Sequence, residues 1–221
     1  VEIIKNMSHI ISNTNSLASV FISELRDEEV QKDSMRFRKN LERLGEIFAY
    51  EISKTLEYTE KEITTPLGVA TANVLKDQPV IGTILRAGLP VHQGILNFFD
   101  RAENAFVSAY RKHHKDSSFM IKIEYLSSPS LEDKVLILCD PMLATGQSMY
   151  LTYKALLDLG KPKHVHIVGL IASQEGVNYV KRHFPENTTL WLGAVDDELT
   201  VKSYIVPGLG DAGDLAYGKK L

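Results

Sequence analysis

Asp140 is the first residue on which chemistry can be built. It closes an unbroken apolar run, Val135 to Cys139, and stands ahead of Pro141, after which Ala144, Thr145, Gly146, Gln147 and Ser148 lead into an apolar series at helical spacing, Met149, Leu151, Leu156, Leu157 and Leu159. A carboxylate at a strand end, followed by small and hydroxylated residues at a helix start, meets free backbone N–H groups and the positive end of a helix dipole. Such a point is a ready site for a phosphate or another oxyanion. On spacing alone, an ordinary βα turn with an acidic residue would look the same. Arg86 closes a second apolar run, QPVIGTIL, ahead of Ala87-Gly88. An arginine there points into the crevice where open α/β sheets bind ligands, or else pairs with a nearby surface carboxylate. Arg111 opens RKHHKDSSF, the one locally basic cluster. It reads as a solvated loop suited to closing over a polyanion, since the guanidinium fork holds phosphate oxygens bidentately and stays charged.

Two other candidates carry less. Cys139 is the single cysteine; its apolar neighbours disfavour a thiolate, and alone it excludes an internal disulfide or a multi-cysteine zinc site and fits a reducing cytoplasm. His164 and His166 alternate with valine and isoleucine and read as satisfied sheet histidines ahead of metal ligands.

The elements that must position these groups follow from periodicity. Val135–Cys139 has no polar alternation, so it reads as a strand buried on both faces of a parallel sheet, ended by Pro141. Gln78–Leu85, Asn104–Tyr110, His164–Ala172 and Thr188–Val195 supply four more strands, giving four or five in parallel, with Phe119–Leu126 as a β-arm returning from the basic loop. Leu17, Val20, Phe21 and Leu25 fall at helical intervals, followed by RDEEVQKD as a solvated connector. Asp33 or Ser34 can cap a stronger helix with the stripe Phe37, Leu41, Leu44, Phe48, Ile52 and Leu56, which is core or subunit contact. Glu57–Thr65 reads as an outer strand or hairpin arm, and Gln174–Phe184 as a short helix. At 221 residues with no Gly/Ser-rich linker or repeat, the chain suits one compact α/β domain. A net charge of −3 gives no support for broad nucleic-acid or membrane-surface binding, and no membrane span or signal-peptide core is expected.

Near the C-terminus, SYIVPGLGDAG contains Gly208, Gly210 and Gly213 in a literal GxGxxG. A dinucleotide fingerprint also needs a following helix and a later acidic residue; with so few residues after it, this reading is rejected, as is a P-loop over Gly213–Lys219. Tyr204, Ile205, Val206 and Leu209 are apolar enough to dock, and the glycines can bring backbone N–H and C=O close to a flat ligand.

DPMLATG at Asp140–Gly146 closely resembles the ribose-phosphate motif of the phosphoribosyltransferases, in the form carried by uracil phosphoribosyltransferases, and YIVPGLGDAGD resembles that family's uracil-binding segment. With TILRAG and AYR, the likeness runs in the family's order across most of Arg26–Gly218. Gln147, in place of a usual glycine, and Leu215-Ala216-Tyr217 depart from the pattern. The resemblance implies an α/β fold of type I phosphoribosyltransferase kind, with a central mostly parallel sheet flanked by helices and a small hood or β-arm. It implies one domain over 1–221, with N-terminal helices at about 15–56 and a uracil-binding loop at about 203–218 appended to the core.

It further implies transfer of the phosphoribosyl group from phosphoribosyl pyrophosphate (PRPP) to uracil, giving UMP and pyrophosphate in pyrimidine salvage, in a cytoplasmic homodimer. Asp140, Arg86 and Arg111 would be the catalytic residues. PRPP would be bound by Arg86, Arg111, Asp140, Pro141, Met142, Leu143, Ala144, Thr145, Gly146, Gln147, Ser148 and Asp211. Uracil would meet Ile205, Gly210, Asp211 and Ala212, largely through backbone atoms. Magnesium would ride on the PRPP diphosphate, with no direct protein ligand. Two alternatives share the scaffold: a regulator that binds RNA in response to pyrimidine nucleotides, against which the acidic balance counts, and a phosphoribosyltransferase for another base.

Overall fold

The structure, a computed structural model, describes residues 8–113 and 119–220, with side chains outside 109–122. In chain order the elements are β1 (Ser8–Ile10), α1 (Leu17–Arg26), α2 (Ser34–Ser53), β2 (Tyr58–Thr65), β3 (Gly68–Leu75), β4 (Val80–Leu85), α3 (Gly88–Phe98), β5 (Glu103–His113) and β6 (Phe119–Ser127). There follow β7 (Val135–Cys139), β8 (Met142–Leu143), α4 (Gln147–Leu156), β9 (His164–Ser173), α5 (Gln174–His183), β10 (Thr188–Asp196), β11 (Glu198–Leu199), β12 (Ile205–Val206) and α6 (Ala212–Tyr217). The main sheet runs β1-β10-β9-β7-β4-β5-β6, with β8 beside β9. Every pairing is parallel except β5 with β6, which return on each other as an antiparallel arm.

The alternation of the central strand divides the core. Ile137 and Cys139 face a layer of α1, α2 and α3, whereas Leu136 and Leu138 face α4 and α5, as the two-residue period of a strand requires. Burial on both faces explains why Val135–Cys139 carries no polar position. On the first face, Asp33 caps α2 by accepting from the N–H groups of Met35 and Arg36, both at 3.0 Å. Phe37, Leu41, Leu44, Phe48 and Ile52 are at most 1% exposed. The stripe is therefore spent within the chain and is not available as subunit contact. α2 crosses α3 closely, because a Cβ at Gly94 would lie 1.9 Å from the Glu42 carbonyl oxygen.

Four sequence expectations need correction. On α1, Leu25 is buried and Phe21 packs against the core as expected, but Leu17 and Val20 are exposed and Ala18 and Ile22 complete the buried face instead; serine and alanine at intervening positions let a neighbouring stripe read as apolar, and packing against α2 selected it. RDEEVQKD is not wholly a solvated connector. Arg26 ends α1 and pairs with Asp196, and Asp27 folds the next residues into a turn by accepting from the N–H groups of Glu29 and Val30. The C-terminal glycine segment is not loop throughout, since α6 begins inside it at Ala212, capped by Asp211. The sheet also has seven parallel-paired strands rather than four or five, the extra two being β1 and β8, too short to show periodicity.

The expected hairpin arm is present as β2 and β3, antiparallel from Tyr58↔Leu75 to Thr65↔Gly68. It forms a two-stranded sheet of its own, and all of β2 is exposed.

Candidate active site

Because the strands are parallel, the ends of β4, β7 and β10 open on one edge of the sheet, and each turn there carries a candidate group. The Asp140 N–H donates to the Val168 carbonyl at 3.1 Å, and the Pro141 carbonyl accepts from Leu170 and Ile171 at 3.1 and 2.9 Å. Pro141 is itself buried, so the turn is stitched to β9. Asp140 Oδ1 accepts from the Met142 N–H at 3.2 Å. The chain then makes the short strand β8, a detail absent from the simple strand–loop–helix reading. At Gly146 it takes a left-handed conformation, φ 77°, from which α4 starts.

The first N–H groups of α4 have no intrahelical acceptor and open onto a shallow hollow of about 30 Å³ lined by Asp140, Met142, Leu143, Ala144, Thr145, Gly146, Ser148 and Met149. Of the residues expected to bind phosphoribose in this stretch, Pro141 and Gln147 do not line the hollow. Two supporting residues escaped the sequence reading. Ser173 caps α5 by accepting from Gly176 N–H at 2.9 Å, and its hydroxyl donates to the Ala144 carbonyl at 2.6 Å. Gly176 lies so close beneath the loop that a Cβ there would sit 2.4 Å from the Ala144 oxygen. The signal was present: a serine followed three residues later by a glycine at a strand-to-helix junction.

Arg86 ends β4 and turns to the C-terminal segment. Its Nη2 donates to Asp214 Oδ1 at 3.0 Å, and both Nη atoms donate to the Gly218 carbonyl at 3.3 Å. The crevice and surface-pair readings of this arginine thus meet, the carboxylate belonging to the hook formed by Ile205–Gly218. Asp211 Oδ1 accepts from the Asp214 N–H at 2.9 Å, and its other oxygen lies 3.5 Å from Lys220 Nζ. Ile205 and Ala212 are 5% and 3% exposed, packed in the core with Leu209 and Ala216. What those two residues offer a ligand is therefore main chain. Gly210 is open around its Cα at φ 93°. The backbone of Arg111 pairs with Ile121 on β6; its side chain lies outside the described residues, as do residues 114–118 of the basic loop.

A clamp that the sequence reading missed fixes the root of the hook. Asp196 receives both Arg26 Nη atoms at 2.8 Å and the Gly208 N–H at 2.9 Å, while Arg26 also donates to the Gly208 carbonyl at 3.0 Å. Burial would raise the Asp196 carboxyl, but the bonds from Arg26 and Gly208 prevail and hold its pKa below the ordinary value. Elsewhere, burial pushes the Cys139 thiol up to about 12, leaving no nucleophile there. His166 is pushed down to about 3 by burial and accepts from Trp191 Nε1 at 3.0 Å, while His164 meets the Thr189 hydroxyl at 3.0 Å. Both are satisfied sheet histidines. Among the described residues no group of three or more His, Cys, Asp or Glu is arranged to hold a metal ion, and no helix is long and apolar enough to cross a membrane.

Solved structures share this architecture. Orotate phosphoribosyltransferase of Mycobacterium tuberculosis, solved with PRPP, matches over 85% of this chain and 95% of its own, with a TM-score of 0.51 at 12% identity, a likeness of fold alone. The AQ2163 protein of Aquifex aeolicus matches over 96% of this chain and 98% of its own at 31% identity, with a TM-score of 0.85. A parallel sheet with an acidic phosphate-type turn and an arginine at neighbouring strand ends thus has the phosphoribosyltransferase fold. The family model for uracil phosphoribosyltransferase matches residues 11–219. The uracil phosphoribosyltransferase of Porphyromonas gingivalis is 58% identical over 94% of this chain and 96% of its own length, and that of Thermococcus gammatolerans 40% identical over 90% and 88%. The chain belongs to the uracil phosphoribosyltransferase family and is, by enzyme class, a glycosyltransferase.

Proposed function

We propose that the crevice at the ends of β4 and β7, roofed by the hook, transfers the 5-phosphoribosyl group of PRPP to uracil, giving UMP and pyrophosphate. The observation that carries this reading is that the Asp140 turn, Arg86 and the main chain of Ile205–Ala212 stand on one sheet edge, with Arg86 bonded to the hook. The 5′-phosphate sits on the first N–H groups of α4 and the hydroxyls of Thr145 and Ser148, and Asp140 holds the ribose hydroxyls. Breaking the C1–O bond puts positive charge on the ribose and negative charge on the departing pyrophosphate, so stabilising both ends matters more than a covalent nucleophile. Asp140 supports the first charge, while Arg86 and Arg111 take the second. Asp211 faces PRPP from the hook. Uracil reads the main chain around Gly210 and Ala212, because the neighbouring side chains are committed to the core.

Magnesium fits this site as a passenger of the substrate. Among the described residues no group of three or more His, Cys, Asp or Glu is arranged around Asp140 to cage a metal, which suits an ion that keeps its waters and binds substrate phosphates and that would, when bound, neutralise diphosphate charge. The chain works as one domain, since the N-terminal helices and the hook share a core with the sheet, and we place it in the cytoplasm, where the reduced, buried Cys139 is at home. It works as a homodimer whose contact is the β2–β3 hairpin rather than the α2 stripe. An isolated two-stranded ribbon is marginal in water, and Ile63, Leu67 and Val69 on it are 40, 100 and 68% exposed. The deciding assay incubates the protein with PRPP, magnesium and labelled uracil, beside cytosine, hypoxanthine and orotate. Conversion of uracil alone is expected, and equal conversion of another base would overturn the reading.

A further inference from the structure

Asp214 belongs to none of the groups assigned above to PRPP or uracil, yet among the described residues it is the one carboxylate that forms an ion pair with Arg86. Asp214 Oδ1 lies 3.0 Å from Nη2, and the pair is partly open to solvent, with side-chain exposures of 38% for Arg86 and 30% for Asp214. The guanidinium also lies against Gly213, where a Cβ would come within 3.6 Å of Nη2. Donor counting shows what is left. Asp214 and the Gly218 carbonyl take both hydrogens of Nη2 and one of Nη1, and a guanidinium has five N–H donors. The Nε hydrogen and one Nη1 hydrogen therefore remain for another acceptor.

The other end of the contact is equally tied down. Asp214 sits in the first turn of α6, its own N–H held by Asp211, while the last turn of α6 is fixed to α2 by Arg38 Nη1 donating to the Ala216 carbonyl at 2.7 Å. α6 thus lies between the main chain around Gly210 and the arginine at the end of β4. A shift of the guanidinium is passed through one ion pair to the residues that flank Gly210 and Ala212.

We propose that Asp214 is a positioning residue that couples the two halves of the crevice: it sets the plane of Arg86, and through α6 it makes diphosphate binding and base binding depend on each other. The neutral Gly218 carbonyl, at the longer distance, is the acceptor that yields when a diphosphate arrives, and Asp214 stays. The inference rests on the reading that Arg86 serves the diphosphate.

Coupling between two ligands is reciprocal for binding equilibria, so a two-substrate kinetic grid measures it under rapid-equilibrium conditions, where each KM is a dissociation constant. In the unmodified chain, saturating PRPP lowers the KM for uracil, and uracil lowers the KM for PRPP by the same factor. Asp214→Asn is expected to reduce that factor by about fivefold or more, within the range known for coupled sites, and Asp214→Glu to restore part of it. Because Asp214 also lies in a helical first turn, thermal melting of each variant accompanies the grid; a merely structural role would lower Tm without moving the interaction factor. If Arg86→Gln leaves the KM for PRPP unchanged, the reading of Arg86 itself is wrong. If Arg86→Gln raises it while Asp214→Asn keeps the interaction factor of the unmodified chain, only the coupling is refuted.

Discussion

Replacing Asp196 by alanine should loosen the hook and destabilise the chain together. Asp196 is 8% exposed and Arg26 22%, and the substitution strips Arg26 of two bonds at 2.8 Å while orphaning the buried Gly208 N–H. Removing one partner of a fully buried pair costs about 3–5 kcal/mol. Water can reach part of Arg26, so we expect about 2–3 kcal/mol here, which for a chain of this size lowers Tm by roughly 4–12 °C. Urea unfolding reads the first quantity, with the midpoint falling and the slope unchanged. Initial rates read the second effect: the KM for uracil should rise more than that for PRPP, because Gly208 roots the base side of the crevice.

The pH dependence follows from the sign of the shift. A carboxyl whose folded pKa lies below its unfolded value of about 3.9 stabilises fully above that value and loses the contribution as pH falls through the folded one. The stability gap between the unmodified chain and Asp196→Asn should accordingly be flat around neutrality and narrow below about pH 4. A loss under about 0.5 kcal/mol, the range of ordinary surface substitutions, with an unchanged KM for uracil would refute the clamp.

Asp140→Asn should keep the fold and lower turnover sharply; unchanged kcat and KM for PRPP would remove Asp140 from the site. Arg111→Lys keeps the charge but loses the fork, and should weaken PRPP use by about 1.5–3 kcal/mol in kcat/KM; kinetics equal to the unmodified chain would turn that arm elsewhere. Gly176→Ala puts a methyl where the Ala144 oxygen is 2.4 Å away, so the KM for PRPP should rise with little effect on that for uracil, and an unaltered KM would show that the loop is not supported from below. Native Cys139, with its thiol pushed up to about 12, should resist alkylation at pH 8 until the chain is denatured, as mass spectrometry would show. Sedimentation of a variant with residues 59–74 replaced by a short Gly-Ser turn should give a monomer; an unchanged dimer would place the contact elsewhere.

Local order in the sequence carried the sheet and the crevice lip. Val135–Cys139 and its neighbours announce buried strands because both faces are covered, and Pro141 and Gly146 mark the turn because each limits the backbone in a way few other residues do. What stayed hidden depends on partners far apart in the chain. Arg26 and Asp196 are separated by 170 positions, and nothing near either residue tells which charge it will meet. Arg86 and Asp214 are 128 apart, so the arginine was legible as a crevice group but its carboxylate was not. Part of the buried face of α1 was misread for a related reason: Phe21 and Leu25 pack inward as read, but Leu17 and Val20 are as apolar as Ile22, and only the position of α2 decides which is covered. The short strands β1 and β8 exist because β10 and β9 offer them a ladder, not because two or three residues prefer it.

A structure of the protein with UMP would test the assignment of the crevice most directly. The 5′-phosphate oxygens should lie on the N–H groups of Gly146–Ser148 with the Thr145 and Ser148 hydroxyls, the ribose hydroxyls at Asp140, and the uracil edge against the main chain of Gly210 and Ala212. A phosphate bound away from that helix start, or a base that leaves the hook untouched, would contradict it.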